Sequence, residues 1–268
     1  MILKLKALFA DPRHFQILYL SIFLMYGVHA LDWESNVPYF LTIIGTCLCA
    51  QAIGIVLTTK NWHSLKSGLI TALGLCLLLR VNEWWVAALA AAIAIGSKYL
   101  IRFRGKHIFN PANIGIIAVI LFTKEAWISP GQWGSDIAVF FAVGFASLVI
   151  LLRVGRIDTS LVFLAVLISL QYCRTVLYLG WSMDHLIHQF SNGSLLLFTF
   201  FMITDPMTTP NSKKARYIWA ALIAILSFAV SNYFYFHTAP IWVLVAISPL
   251  TPFLDKWLKG EKFEWKTT

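Results

Sequence analysis

Five polar side chains interrupt long apolar runs in this 268-residue sequence: Gln51, Lys98, Gln171, Arg174 and Asp205. If those runs cross a bilayer, no water is available there, so each group must face protein, a cavity or an interface. Lys98 and Arg174 lie near expected helix ends, where a long apolar stem lets the charge snorkel toward the headgroups. Gln51 and Gln171 have no such exit, and each offers an amide donor and an acceptor; interhelical hydrogen bonding and contact with a ligand both fit them. Two polar stretches also border apolar runs. Gly105-Lys106-His107-Ile108-Phe109-Asn110-Pro111-Ala112-Asn113 reads as a helix start, with Asn110 as N-cap and Pro111 in the first turn. The same helix end presents free N–H groups and a positive dipole end, which suit an anionic or carbonyl-rich ligand. Thr204-Asp205-Pro206-Met207-Thr208-Thr209-Pro210 closes another run. Its two prolines forbid helix, and its hydroxyls and carboxylate can satisfy the freed backbone. Asp205 also fits a plain helix cap, or a partner for Lys213, Lys214 or Arg216.

The elements that must position these groups follow from composition. The chain is 59% hydrophobic and only 12% charged, against about a quarter charged for a soluble domain. Its charges fall in clusters between apolar runs, which predicts an all-α polytopic membrane protein. The net charge of +9 therefore implies no nucleic-acid partner; the partner is the lipid bilayer. Apolar runs near 15–31, 37–59, 64–79, 84–101, 110–123, 136–153, 158–177, 192–204, 217–233 and 239–254 predict ten transmembrane helices. The first follows Lys4, Lys6 and Arg13 and precedes Asp32, Trp33 and Glu34, with no small-x-small cleavage site, so it reads as a retained span.

With a cytoplasmic N-terminus, 18 of the 21 Lys and Arg residues fall on the inner side, and only Arg80, Lys124 and Arg174 do not. The 12 acidic residues split evenly, leaving +12 inside and −3 outside. That asymmetry predicts a multi-pass protein of the bacterial cytoplasmic (inner) membrane with both termini cytoplasmic. On that topology Asn110, Asn113, Thr204, Asp205 and Thr208 all lie toward the cytoplasmic side, and Trp127 and Trp133 lie at the outer interface.

The third and eighth runs are short and follow Asn61-Trp62-His63-Ser64 and Ser191-Asn192-Gly193-Ser194, the pattern of broken helices. Ten spans divide into two sets of five, so a repeat must be inverted. Gln51 and Gln171 occupy matching places in the second span of each half, and Pro111 matches Pro240 once an insertion near Trp181 to His188 is allowed. The expected organisation is a first repeat at 1–134, a second, inverted repeat at 135–256 and a cytoplasmic basic tail at 257–268. The two glutamines would then approach each other near the midplane. Cys47, Cys49, Cys76 and Cys173 all sit in apolar runs without C-x-x-C spacing and read as small buried hydrophobes, with Cys47 and Cys49 on different helix faces and no metal site.

Phe109-Asn110-Pro111-Ala112 together with Phe201-Met202-Ile203-Thr204-Asp205-Pro206-Met207-Thr208-Thr209-Pro210 resembles the membrane family of the Rnf complex D subunit and the Nqr B subunit. Ser67-Gly68-Leu69-Ile70-Thr71-Ala72-Leu73 looks like that family's third span, and Ser248-Pro249-Leu250-Thr251-Pro252-Phe253-Leu254-Asp255 like its C-terminal close. The resemblance implies a urea-transporter-like inverted repeat of ten helices. It also implies a flavin-bearing electron-transfer subunit coupled to sodium or proton movement, working with other membrane redox subunits. A non-covalent flavin, riboflavin or flavin mononucleotide, would be contacted by Asn110 and by the residue three positions earlier. In the family that residue is an asparagine; here it is His107, whose donor and acceptor nitrogens point to different sides of the ring and do not offer one ligand the amide's donor and acceptor together.

The family's Ser-Gly-Ala-Thr motif, whose threonine carries covalent flavin mononucleotide, is absent. The loop after the fifth run has only Thr123, followed by Lys124 and Glu125. This implies no covalent flavin mononucleotide, and the loop's Ser129-Pro130-Gly131-Gln132-Trp133-Gly134 is similar to the branch called UnbU-type. Three functions follow: a subunit of an Rnf/Nqr-like electron-transport system with non-covalent flavin; a small-solute or ion transporter without a redox cofactor; or a membrane anchor for a redox partner. The expected cofactor-binding residues are His107, Asn110, Asn113, Thr204, Asp205 and Thr208, with Gln51 and Gln171 as midplane polar groups.

Overall fold

The computed structural model describes residues 11–33, 36–59, 61–129 and 155–263. These fall into two compact units, 11–129 and 155–263.

In the first unit, α1 (Pro12–Ala30) starts where the Asp11 side chain accepts from the Arg13 backbone N–H at 3.0 Å. The Asp11 carboxylate also bonds the Arg13 guanidinium at 2.8 Å and the Lys66 ammonium at 3.0 Å. Burial alone would raise its pKa; the hydrogen bonds from Arg13 and Lys66 outweigh that and hold the carboxyl well below the usual carboxylate range. The start of α1 is thereby tied to the first turn of α3 (Leu65–Leu78). Before α3, α2 (Val37–Gly54) runs on into a π-helical segment, Ile55–Thr59. A single 3₁₀ turn, Trp62–Ser64, then forms because Asn61 Oδ1 accepts from the His63 N–H at 3.1 Å.

The apolar face of α4 (Trp84–Leu100) packs against α2 on one side and α5 (Pro111–Thr123) on the other. Its buried Ala87, Ala90, Ala91 and Ala94 let the helix backbones approach closely. Gly115 of α5 is required there, since a Cβ would lie 2.7 Å from the Ala90 carbonyl oxygen. A two-residue hairpin joins α4 to α5: β2 (Arg102–Phe103) pairs with β3 (Lys106–His107), and the turn places Arg104 and Gly105 at φ 50° and 79°. Both central residues at positive φ give the twist that closes so short a hairpin. A second antiparallel pair joins β1 (Leu79–Val81) to β4 (Ala126–Ile128), with Arg80 opposite Trp127.

In the second unit, α6 (Ile157–Tyr172) passes into a π-helical segment, Cys173–Tyr178. After α7 (Met183–Phe190), the short α8 (Gly193–Leu197) also becomes π-helical over Phe198–Met202. The long α9 (Lys213–Tyr233) packs on α6 and on α10 (Ala239–Ile247). A 3₁₀ turn, Ser248–Leu250, leads to α11 (Thr251–Trp257). The core holds Trp219, Phe163 and Phe198, with the two phenylalanine rings 5.3 Å apart.

Nine of the ten expected apolar runs carry helix, and the sixth, 136–153, lies outside the described residues together with Trp133. Among the described residues, three helices are long and apolar enough to cross a membrane: Val37–Thr58, Ile157–Tyr178 and Lys213–Tyr233. Shorter apolar helices occupy Trp62–Leu78, Trp84–Leu100, Pro111–Thr123 and Gly193–Met202. Leu41, Leu57, Phe122, Leu161 and Ile225 point outward from these helices, as a lipid-facing surface requires. Among the described residues, helix placement departs from the sequence expectation in three places. The insertion near residue 181 is the helix α7. The tenth run breaks at Ser248–Leu250, beside Pro249 and Pro252. Finally, α9 begins at Lys213, because Ser212 Oγ accepts from the Ala215 N–H at 3.2 Å.

Candidate functional site

Three helices of the first unit converge on a buried polar cluster. Gln51 of α2 donates through Nε2 to the Tyr99 hydroxyl at 2.7 Å and to Ser64 Oγ at 3.4 Å. Its Oε1 accepts from the Lys98 ammonium at 3.4 Å, and Lys98 also donates to the Ser67 carbonyl at 2.9 Å and to Ser67 Oγ at 3.2 Å. Snorkelling is therefore not what Lys98 does. It is 3% exposed and turns inward, because three oxygens from α2 and α3 offer its ammonium more than a distant interface does. Glycines make the room: a Cβ at Gly68 would lie 2.9 Å from Gln51 Cγ, and one at Gly54 would lie 2.3 Å from the Tyr99 ring.

In the last turn of α4, the Lys98 carbonyl accepts from Arg102 Nε and bonds the His107 ring. Burial, and then the charges of Lys98 and Arg102, push the His107 imidazole down to about 3, so the ring is neutral. His107 Nδ1 is buried and has no hydrogen-bond partner among the described residues. Nearby, Asn110 caps α5 by accepting from the Asn113 N–H at 3.2 Å, and its carbonyl accepts from the Ile114 N–H at 3.0 Å. Asn110 and Asn113 are both buried. His107, Asn110 and Asn113 thus occupy one short stretch between the hairpin and the first turn of α5.

At the far end of α5, Thr123 Oγ1 donates to the Val119 carbonyl at 2.6 Å and accepts from the Glu125 N–H at 3.2 Å. The hydroxyl is tied into the helix end, where Lys124 adopts φ 57°. Trp127 is exposed on β4.

In the second unit, Thr204, Asp205 and Thr208 form one turn. Asp205 Oδ1 accepts from the Met207 N–H at 3.0 Å, and the Asp205 carbonyl accepts from the backbone N–H groups of Thr208 at 3.1 Å and Thr209 at 3.0 Å. Thr208 Oγ1 donates to the same carbonyl at 3.2 Å, while Thr204 Oγ1 donates to the Phe200 carbonyl at 2.6 Å. The backbone freed by the prolines is satisfied locally.

Arg216 makes its ion pair with Asp158, at 2.5 Å. It also donates through Nε to both oxygens of Asp158, at 3.2 and 3.0 Å, and through Nη1 to the Asn211 carbonyl at 2.8 Å. Asp255 accepts from the Asn211 N–H at 2.7 Å. Burial and the Arg216 charge push neighbouring Arg156 down to about 10, against the pull of Asp158, Asp255 and Asp205. Arg156 lies over the Phe263 ring at 5.7 Å. Gln171 keeps a buried Oε1 without a partner among the described residues, and Arg174 donates to Asn232 Oδ1 at 2.9 Å. Cys47 and Cys76 are buried, whereas Cys49 and Cys173 lie on the surface.

Sequence reasoning missed Tyr99, Ser64 and Ser67 in the first unit, and Asp158, Arg156 and Asp255 in the second. The spacing of Gly54 and Gly68 around Gln51 marks the first group only once the helices are packed.

The family described as NQR2, RnfD, RnfE matches residues 121–264. Curated relatives include D subunits of the ion-translocating oxidoreductase complex from several bacteria. That of Shewanella loihica is 30% identical over 102 residues, which span 37% of this chain and 29% of the relative's length. The Stutzerimonas stutzeri protein is 21% identical over 302 residues, covering 86% of this chain and 85% of the relative. Its counterpart in Shewanella denitrificans is 22% identical over 84% of each chain.

Proposed function

Since the chain belongs to the NQR2, RnfD, RnfE family, we propose that it is a membrane-embedded subunit of an ion-translocating oxidoreductase, working beside other membrane redox subunits. We assign it a non-covalent flavin held at the start of α5. His107 Nδ1 carries this reading: it is a buried acceptor on a neutral imidazole, with no donor facing it among the described residues. Such an acceptor fits a ring imide N–H, and the capped helix start at Asn110 and Asn113 adds a positive dipole end beside it. When bound, flavin supplies reversible electron transfer. The protein's own part is to orient the ring through His107 and Asn110 and to exclude water with the buried surface around them. Thr204, Asp205 and Thr208 hold the turn after α8.

The visible absorption spectrum of the detergent-purified protein tests this. Flavin bands are expected, and acid precipitation should release the colour into the supernatant. Fluorescence co-migrating with the polypeptide in a denaturing gel would show covalent attachment and overturn that part; a colourless protein would sink the flavin reading and leave the transporter. The doubly engaged Thr123 hydroxyl supports the non-covalent form.

The same reading places ten spans in two inverted five-helix repeats in the cytoplasmic membrane, with both termini inside. Supporting it, the second span of each half ends in a π-helical segment, Ile55–Thr59 and Cys173–Tyr178. The short third and eighth spans each follow a capping asparagine, Asn61 and Asn192. A cysteine placed at Lys213 should react with an impermeant reagent only from the cytoplasmic side; labelling from outside reverses the topology.

A further inference from the structure

The Lys98 ammonium is surrounded by oxygen from two other helices: the Ser67 carbonyl at 2.9 Å, Ser67 Oγ at 3.2 Å and Gln51 Oε1 at 3.4 Å. We propose that these oxygens form a binding site for a monovalent cation of potassium or ammonium size, and that Lys98 is its tethered occupant. The donor set is the first reason. Carbonyl, hydroxyl and amide oxygens are neutral hard ligands, which bind alkali cations and ammonium alike and supply no carboxylate to attract a divalent ion. Size is the second. Ca²⁺ takes oxygen at about 2.3–2.6 Å, whereas the two Ser67 oxygens stand 2.9 and 3.2 Å from the charge, where a larger, singly charged ion fits, and Gln51 Oε1, at 3.4 Å, would have to move closer to bind one.

The third reason is that the cage is held from behind. Gln51 is fixed by Tyr99 at 2.7 Å and by Ser64 at 3.4 Å. Gly68 lets Gln51 lie against α3, and Gly54 admits the Tyr99 ring against α2. The oxygens are therefore positioned by the packing of α2, α3 and α4 and not by the lysine alone. A compact ammonium on a flexible stem is the side chain that can fill such a cage from a helix end. With Lys98 in place the first unit carries its own fixed cation here, independent of whether the protein binds flavin.

The test removes the tether and supplies the ion. Lys98→Ala, expressed and purified with KCl throughout, is compared with the wild type by thermal unfolding in KCl, NH₄Cl, NaCl and choline chloride at equal ionic strength. The variant should melt lower than the wild type in choline chloride. It should then gain roughly 3–6 °C at about ten times the dissociation constant of K⁺ or NH₄⁺, and less in Na⁺. The wild type should melt alike in all four salts. Gln51→Leu in the Lys98→Ala background should abolish the gain. Lys98→Met, which refills the space with an apolar stem, should show none. Equal melting of Lys98→Ala in all four salts, or its failure to fold even in KCl, overturns the proposal, because a free cation must then be unable to replace the ammonium. These melting curves do not depend on any bound chromophore, so they can fail while the flavin reading stands, or the reverse.

Discussion

Replacing Arg216 by alanine is expected to lower the melting temperature of the purified protein by about 6–12 °C. Its guanidinium is 3% exposed and pairs with Asp158 at 2.5 Å, with further bonds to Asp158 and to the Asn211 carbonyl. Breaking a buried pair leaves one charge uncompensated and costs about 3–5 kcal/mol. The lower end applies here because the Asp158 side chain keeps 17% of its surface. For a chain of this size each kcal/mol moves the transition by about 2–4 °C. Removing both charges in Arg216→Met with Asp158→Leu should recover most of the loss, since neither group is then stranded. A drop below about 2 °C in the single variant would mean that the pair contributes nothing net.

The second large effect concerns Gly115. A Cβ there would meet the Ala90 carbonyl oxygen at 2.7 Å, Ala94 Cβ at 2.9 Å and Ala94 Cα at 3.4 Å, all belonging to the facing helix. Backbone cannot swing aside as a flexible side chain can, so α4 and α5 must separate. Overpacking of this kind costs about 1–3 kcal/mol, while a glycine replaced within a helix gains about 1 kcal/mol in propensity. Gly115→Ala should therefore come out mildly destabilised, and Gly115→Leu severely so. Gly96→Ala, where nothing lies within 4 Å of the added carbon, should be neutral or slightly stabilised. Equal melting of Gly115→Leu and Gly96→Ala would show that the α4–α5 contact is not tight. The same separation would disturb the hairpin and helix start that carry His107 and Asn110, so flavin content should fall together with stability in Gly115→Leu.

Apolar run length, and at Asn110 the capping residue as well, were enough to place helices along the chain. Asp11 before Pro12, Asn61 before Trp62, Asn110 before Pro111 and Asn192 before Gly193 each accept from a backbone N–H within the next three residues, an interaction local enough to be written in sequence. The turn at Thr204 to Thr208 was legible for the same reason, since prolines and short polar side chains satisfy one another within a few residues. The three-residue strands β1 and β4 were not. Leu79-Arg80-Val81 and Ala126-Trp127-Ile128 are too short for any periodicity, and their pairing joins segments that only the packing of α3, α4 and α5 brings together.

Charge partners were the other thing decided in three dimensions. Sequence alone left Asp205 open to Arg216 and let Lys98 snorkel, since a charge near a helix end has several partners within reach. The fold gave Arg216 to Asp158, 58 residues away in the chain, and turned Lys98 inward onto Ser67 and Gln51. Low-dielectric surroundings make the best-placed partner dominate, and which partner is best placed depends on helix rotation and on the clearance left by Gly54 and Gly68. Sequence spacing does not encode those quantities; side-chain packing across three helices sets them.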